Sequence, residues 1–268
     1  MKISIIIPVY NEEKTVVSVL DKVARVDLGL PKEIIIVNDG SSDNSKRVIE
    51  EYLRMKRGKN IEWIFITKEN GGKGSAVRKG IALASGDIIT IQDADSEYNP
   101  EDYRKLIAPI LEGKELVVYG SRFLGVHEPL YRVYFWGNKF LTFITKILYG
   151  ARITDMETCY KVFRADVIKN IPLRAHRFEI EPEVTAKILL RGIRIKEIPI
   201  SYSPRSIEEG KKIGWRDGIQ AIGTLMYWRL MEPRVDSLAL VRPIRTTQRR
   251  SRMRVRIGED YPRRKRVR

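Results

Sequence analysis

The sequence predicts an α/β fold, a doubly wound and mainly parallel sheet with helices flanking both faces. Three observations carry that expectation. Short apolar runs alternate with helix-length segments through the first 120 residues. The runs are near-continuous, as in Ile3-Ser4-Ile5-Ile6-Ile7-Pro8-Val9 and Glu33-Ile34-Ile35-Ile36-Val37, which suits strands buried on both faces. Polar and glycine-rich clusters follow directly after those runs, at the carboxyl ends of strands where ligands of such sheets bind.

The first strand, Ile3 to Val9, is followed by a predicted helix from about Glu12 to Arg25. Glu33 to Val37 is the second strand, and Ser41-Ser42-Asp43 supplies capping side chains for a helix through Met55. Ile61 to Ile66 reads as a strand, Lys73 to Ala84 as a helix, and Asp87 to Ile91 as the fourth strand. Pro100 at a helix start, with Glu101 and Asp102 in the first turn, marks a helix to about Glu112. Leu116 to Tyr119 closes this half. Beyond it, helices are expected at Tyr131 to Tyr149, Phe178 to Leu190 and Ile213 to Leu230, with a strand at Ile193 to Pro199. The expected organisation is one domain over 1–232, made of a nucleotide-binding half (1–120) and a second half (121–232), then a basic tail over 233–268.

Of the formal charge of +16, the segment 242–268 holds 12 Lys/Arg against 2 Asp/Glu, and the other 241 residues hold 38 against 32. The body is mildly basic and the tail is a cationic arm. A charge confined to one arm argues against a nucleic-acid-binding surface and favours anionic lipid headgroups, at about 1 kcal/mol per Lys/Arg near a membrane. One cysteine, Cys159, excludes an internal disulfide and any cysteine-based zinc site. No charged leader with a cleavage site precedes the first strand, and Ile213 to Met231 is broken by Arg216, Asp217, Gln220 and Arg229. The expected location is cytoplasmic, peripheral to the inner face of the cell membrane.

Asp93-Ala94-Asp95 follows the fourth strand directly. Residues two apart on extended chain project to one side, so both carboxylates can converge on a hard cation, Mg²⁺ or Mn²⁺. Asn38-Asp39-Gly40-Ser41-Ser42-Asp43 reads either as a contact to a base or ribose or as a plain strand-to-helix turn. Asn70-Gly71-Gly72-Lys73-Gly74-Ser75 departs from the P-loop pattern, since Gly74 stands where Ser or Thr is needed, yet a glycine loop opening a helix suits a nucleotide. Arg205 and Lys211 lie in a cationic loop that suits a diphosphate, and Arg122 and Arg132 suit a phosphate. His127 and His176 are too few for a metal cluster.

Taken together, Pro8-Val9-Tyr10-Asn11-Glu12, Val37-Asn38-Asp39-Gly40-Ser41-Ser42-Asp43, Gly71-Gly72-Lys73-Gly74 and Gln92-Asp93-Ala94-Asp95 resemble the inverting family-2 glycosyltransferases with a GT-A fold. Gly120-Ser121-Arg122-Phe123, Asp155 to Lys161 and Arg205 to Ile213 are similar to the polyprenyl-phosphate branch, the dolichyl-phosphate mannose or glucose synthases. The resemblance implies a nucleotide-sugar donor (GDP-mannose or UDP-glucose), a divalent cation and a lipid-phosphate acceptor. By position, Pro8, Tyr10, Glu12, Asp39 and Lys73 would line the donor pocket. Asp93 and Asp95 would hold the metal at the diphosphate, with Asp95, Arg122 and Arg205 as the catalytic set. Arg122, Arg132 and Asn138 would grip the acceptor phosphate, and Arg205 and Lys211 would close over the donor. An acceptor already carrying charge needs orientation more than deprotonation. Were the acceptor a saccharide hydroxyl instead, Asp155 or Glu179 would be the candidate base.

Overall fold

The apolar runs become strands β1 (Ile3–Val9), β2 (Lys32–Asp39), β3 (Ile61–Lys68) and β4 (Ile88–Ile91), all parallel to one another. The structure, a computed structural model, describes residues 1–55, 61–125, 132–205, 214–232 and 256–259, with only the backbone described for 132–134 and 256–259. Ile5, Ile6, Ile7, Ile34, Ile35, Ile36 and Val37 are fully buried. Each contributes about 1.5–3 kcal/mol by leaving water, which is why these runs form the sheet's centre.

Helices α1 (Val16–Arg25), α2 (Ser45–Met55) and α3 (Lys73–Leu83) cross between them. The first begins four residues later than the periodicity predicts. Residues 10–13 are instead drawn to the loop after β2: Asn11 N donates to Ser41 Oγ (3.0 Å), Glu12 N to Ser45 Oγ (2.8 Å) and Glu13 N to Asp43 Oδ2 (3.1 Å). Glu12 therefore sits in a loop at the rim of the sheet. A 3₁₀ turn (Pro100–Asp102), capped by the Asn99 side chain, leads into α4 (Tyr103–Leu111) and β5 (Val117–Ser121).

The second half builds onto the same sheet. After α5 (Arg132–Tyr149), strand β6 (Lys161–Arg164) inserts antiparallel between β4 and β5, followed by α6 (Ala165–Lys169). Neither β6 nor α6 is evident from periodicity, because each is only four or five residues long. Helix α7 (Ile180–Leu190), strand β7 (Ile195–Pro199) and helix α8 (Trp215–Met231) complete it. A four-residue strand, β8 (Arg256–Glu259), pairs parallel with β3 in a region where the sequence predicts no regular element. The order is β7-β5-β6-β4-β1-β2-β3-β8, so the two expected halves share one mostly parallel sheet.

Helices α5 and α8 pack together, Tyr149 OH donating to Leu225 O (2.5 Å) and Arg229 Nε to Leu148 O (2.9 Å). Their outer sides are apolar. Trp136, Phe140, Phe143 and Ile147 recur at helical spacing on α5, and Trp215, Ile219, Met226 and Leu230 on α8, all exposed. Among the described residues no helix is long and apolar enough to cross a membrane.

Candidate active site

Parallel strands β1, β2, β4 and β5 end on one rim, and the candidate residues follow those ends. Gln92 N still donates to Ile6 O (2.9 Å), after which the chain leaves the sheet and carries Asp93 and Asp95 outward. Pro8 is half-buried in β1, and Tyr10 is 40 % exposed just beyond it.

Three carboxylates from two loops meet one guanidinium. Arg205 Nη1 and Nη2 each donate to Glu12 at 3.1 Å, and Nη2 lies 3.0 Å from Asp95 Oδ2. Its Nε stands 4.0 Å from Glu97 Oε1 and has no hydrogen-bond partner among the described residues. Glu97 also fixes the segment bearing this arginine: Arg205 N donates to Glu97 Oε1 (2.9 Å), Tyr202 OH to Oε2 (2.6 Å) and Ser203 N to Glu97 O (3.0 Å). Burial, then the charges of Asp93 and Glu97, push the Asp95 carboxyl up to about 7 despite Arg205. Glu97 is absent from the motif reading because its function depends on strand β7 returning the chain to it. The signal available was its spacing, two residues past Asp95.

Asp93 faces a different partner. Lys73 Nζ lies 2.8 and 3.0 Å from its two oxygens and 3.3 Å from Glu181 Oε1 on α7. Burial favours the neutral acid, but the Lys73 ammonium outweighs it and holds Asp93 below the ordinary aspartate value. Burial likewise opposes the ammonium, while Asp93, Cys159 and Glu181 carry Lys73 well above the usual lysine range.

The glycine loop is held by the protein itself. Asp39 accepts from Gly71 N (3.0 Å) and Gly72 N (2.7 Å) and pairs with Lys68. Gly74 N and Ser75 N donate to Arg177 O (3.1 Å) and His176 O (2.9 Å). These four N–H groups, which the sequence offers to a nucleotide, are thus engaged internally. Gly72 is at φ 86°, and a Cβ there would lie 2.5 Å from His176 O, so both conformation and close approach require glycine.

On the other side of the rim, Arg122 is locked to Asp155. Nε and Nη2 donate at 2.7 Å each, and Arg122 N adds a third bond at 3.0 Å. Asp155 is fully buried, and its own loop is fixed by Glu197, which accepts from Thr154 N (2.7 Å) and Asp155 N (2.9 Å). Arg122 thus stands directly after β5 with two of its side-chain nitrogens engaged by Asp155. Both Asp155 oxygens accept from Arg122, and Glu179 Oε1 accepts from His176 N (2.8 Å). Asn138 lies half-buried in mid-α5, and Arg132 begins that helix, its side chain outside what is described. Lys211 and His127 lie outside the described residues.

Among the described residues no three Asp, Glu, His or Cys side chains are grouped as a ready metal cage. Asp93 and Asp95 still fit a hard cation that takes its remaining ligands from phosphate oxygens and water, the common arrangement for Mg²⁺. Beside them, Glu12, Asp95 and Glu97 crowd around the single guanidinium of Arg205.

A family model described as glycosyl transferase family 2 matches residues 4–171. A UDP-N-acetylglucosamine–dolichyl-phosphate N-acetylglucosaminyltransferase of Methanococcus voltae is 31% identical over 249 residues, covering 85% of this chain and 94% of that protein. A dolichol-phosphate mannosyltransferase of Pyrococcus furiosus is 29% identical over 249 residues, covering 90% and 68%. Glucosyl-3-phosphoglycerate synthase of Mycobacterium tuberculosis, solved with Mn²⁺, UDP and glucosyl-3-phosphoglycerate, superposes with a TM-score of 0.64 at 20% identity, covering 85% of this chain and 79% of that one. That last likeness establishes a common fold.

Proposed function

This chain belongs to glycosyl transferase family 2 and has the GT-A fold, and from that premise we propose that it transfers a hexose, with inversion, from a nucleotide sugar to a dolichyl-type polyprenyl phosphate. Mannose is the sugar to test first, then glucose, then the N-acetylglucosamine carried by the Methanococcus voltae relative's donor. The observation that carries the reading is the Arg205 guanidinium among Glu12, Asp95 and Glu97 at the carboxyl rim.

Asp93 and Asp95 would hold Mg²⁺ or Mn²⁺, which when bound neutralises charge on the departing nucleoside diphosphate. Arg205, released from Asp95, would donate its N–H groups to the same diphosphate as charge develops there. Tyr10 and Pro8, on the rim after β1, would flank the base. Asp39 would shape the pocket by pinning the glycine loop. Lys73 would hold Asp93 ionised in its half-buried place.

For the acceptor, Asp155 orients Arg122 so that Nη1, free of partners among the described residues, would meet the phosphate. Burial opposes the guanidinium, but Asp155 keeps it charged at every accessible pH. Arg132 and Asn138 would assist from α5. A phosphate oxygen attacks the anomeric carbon without first losing a proton, so the engagement of Asp155 costs this reaction nothing. The exposed apolar sides of α5 and α8, flanked by Lys139, Lys146, Arg216 and Arg229, support a peripheral seat on a membrane where a prenyl chain is available.

The test is incubation with Mn²⁺, a short prenyl phosphate and radiolabelled GDP-mannose, UDP-glucose and UDP-N-acetylglucosamine in turn. Label from one donor should enter the organic phase. Label that stays aqueous with every donor, but joins an added saccharide, would reject the lipid acceptor.

A further inference from the structure

Beneath the rim lie two runs of paired charges, half-buried at Asp93 and Lys73 and buried at Glu181, Lys161, Arg122 and Asp155. Asp93 meets Lys73, Lys73 meets Glu181, and Glu181 pairs with Lys161; across from them Arg122 meets Asp155. Glu157 adjoins both runs. The charges acting on it most strongly are Lys161, Glu181, Arg122 and Asp155. Counting it, three cations (Lys73, Lys161, Arg122) face four carboxyls (Asp93, Glu181, Asp155, Glu157). Glu157 is the surplus acid, and burial first, then Glu181 and Asp155, push it up to about 7 despite Lys161 and Arg122. Its Oε1 is buried and has no hydrogen-bond partner among the described residues.

Such a group calls for an explanation, because burying an unsatisfied carboxyl oxygen costs about 1–3 kcal/mol. The segment cannot turn away to relieve it. On one side Met156 N donates to Thr142 Oγ1 (3.2 Å) on α5. On the other, Cys159 N donates to Tyr98 OH (3.0 Å) and Thr158 O accepts from Lys161. A group that arrives with substrate can supply the missing partner. In the transfer proposed above, the sugar ring must lie between a diphosphate at Asp93 and Asp95 and an acceptor phosphate at Arg122. Glu157, carried on the segment from Asp155 to Lys161, adjoins the Arg122 side of that span. A phosphate oxygen would be repelled whenever Glu157 is ionised. A sugar hydroxyl both donates and accepts, and satisfies the carboxyl in either protonation state.

We infer that Glu157 receives a hydroxyl of the donor hexose and so sets which sugars the enzyme accepts. This rests on the chain using a nucleotide sugar, and not on the identity of the acceptor.

The experiment is donor binding by calorimetry, with Mn²⁺ and no acceptor. GDP-mannose, UDP-glucose, UDP-N-acetylglucosamine and their 2-, 3-, 4- and 6-deoxy sugars are compared in the wild-type protein, Glu157→Gln and Glu157→Ala. Wild type should lose about 10- to 100-fold in affinity on removal of one particular hydroxyl. In Glu157→Ala the complete sugar should fall to the level of that one deoxy analogue, while the penalties for the other positions stay as they were. Glu157→Gln, the same shape, should keep part of the preference and serves alone where the alanine variant fails to fold. Deoxy penalties that are all unchanged in a folded variant would overturn the inference while leaving the transfer reading standing. Failure of wild type to bind any of these sugar nucleotides better than GDP or UDP would overturn both.

Discussion

The front and the back of this rim neutralise their carboxylates in different ways. At the front, Glu12, Asp95 and Glu97 share Arg205, whose side chain retains 17 % of its exposure and lies on a segment reached after β7. At the back, Glu181 and Asp155 are matched by Lys161 and Arg122, carried by regular elements or their immediate ends, with Lys161 and Asp155 wholly buried, while the half-buried Asp93–Lys73 pair links back to front. A cation on a loop near solvent can be exchanged for another, whereas one sealed beneath a sheet cannot be removed without unfolding its surroundings. The front is thus suited to exchange its cation for substrate and metal, and the back to hold fixed the groups, Asp93 and Arg122 among them, that it presents to them.

The largest expected effect comes from changing what the metal holds. Asp95→Asn, and separately Asp93→Asn, should lower kcat by at least about 10²-fold with the circular dichroism spectrum retained. EDTA should do the same to the wild type, and full turnover in EDTA would remove the metal from the account.

Next come the two arginines, which should divide between stability and activity. Arg122→Ala strands the buried Asp155 carboxylate and should cost about 3–5 kcal/mol in urea unfolding. Arg205→Ala should cost about 1 kcal/mol or less, its pairs being partly in water, and lower kcat more than it raises KM. Equal destabilisation by both would erase the distinction between front and back.

The smallest effect is on pH dependence. Asp95 and Glu157 hold their protons up to about pH 7 when folded, but release them near pH 4 when unfolded. Between those values the folded chain binds more protons, so stability should fall as pH rises from about 4 to about 7. Glu157→Gln should flatten part of that slope and raise stability at pH 7.5 by about 1 kcal/mol. A slope of the opposite sign in wild-type urea titrations would contradict the charges assigned to both residues.

Much of this was legible in the sequence, for reasons that also explain what was not. Strands β1 to β4 announce themselves because a parallel strand buried on both faces must be nearly all apolar. Strand β6 does not, since Lys161-Val162-Phe163-Arg164 is short and begins with a lysine whose burial depends on Glu181, 20 residues on. Asp93, Asp95, Glu12 and Arg205 could each be named from their place after a strand or in a cationic loop. That Arg205 spans Glu12 and Asp95 could not, because 193 residues separate Arg205 from Glu12 and the contact depends on how β7 joins the sheet. Glu97 and Glu181 carry no signal in the sequence because an isolated glutamate is usually solvated, and Glu157 stands inside the Asp155-to-Lys161 block without a role of its own. Only packing reveals the buried ones. The residue types of the glycine loop suit a phosphate, and what the sequence does not show is that Asp39 and the 176–177 backbone engage four of its N–H groups.

The most direct test is a crystal of the protein grown with Mn²⁺ and GDP or UDP, with anomalous scattering used to locate the metal. The account predicts an anomalous peak at coordination distance from Asp95, bridging to the diphosphate, with Arg205 moved from Asp95 onto the phosphate oxygens. A nucleotide bound without metal, or Arg205 still paired with Asp95 and the manganese elsewhere, would contradict it.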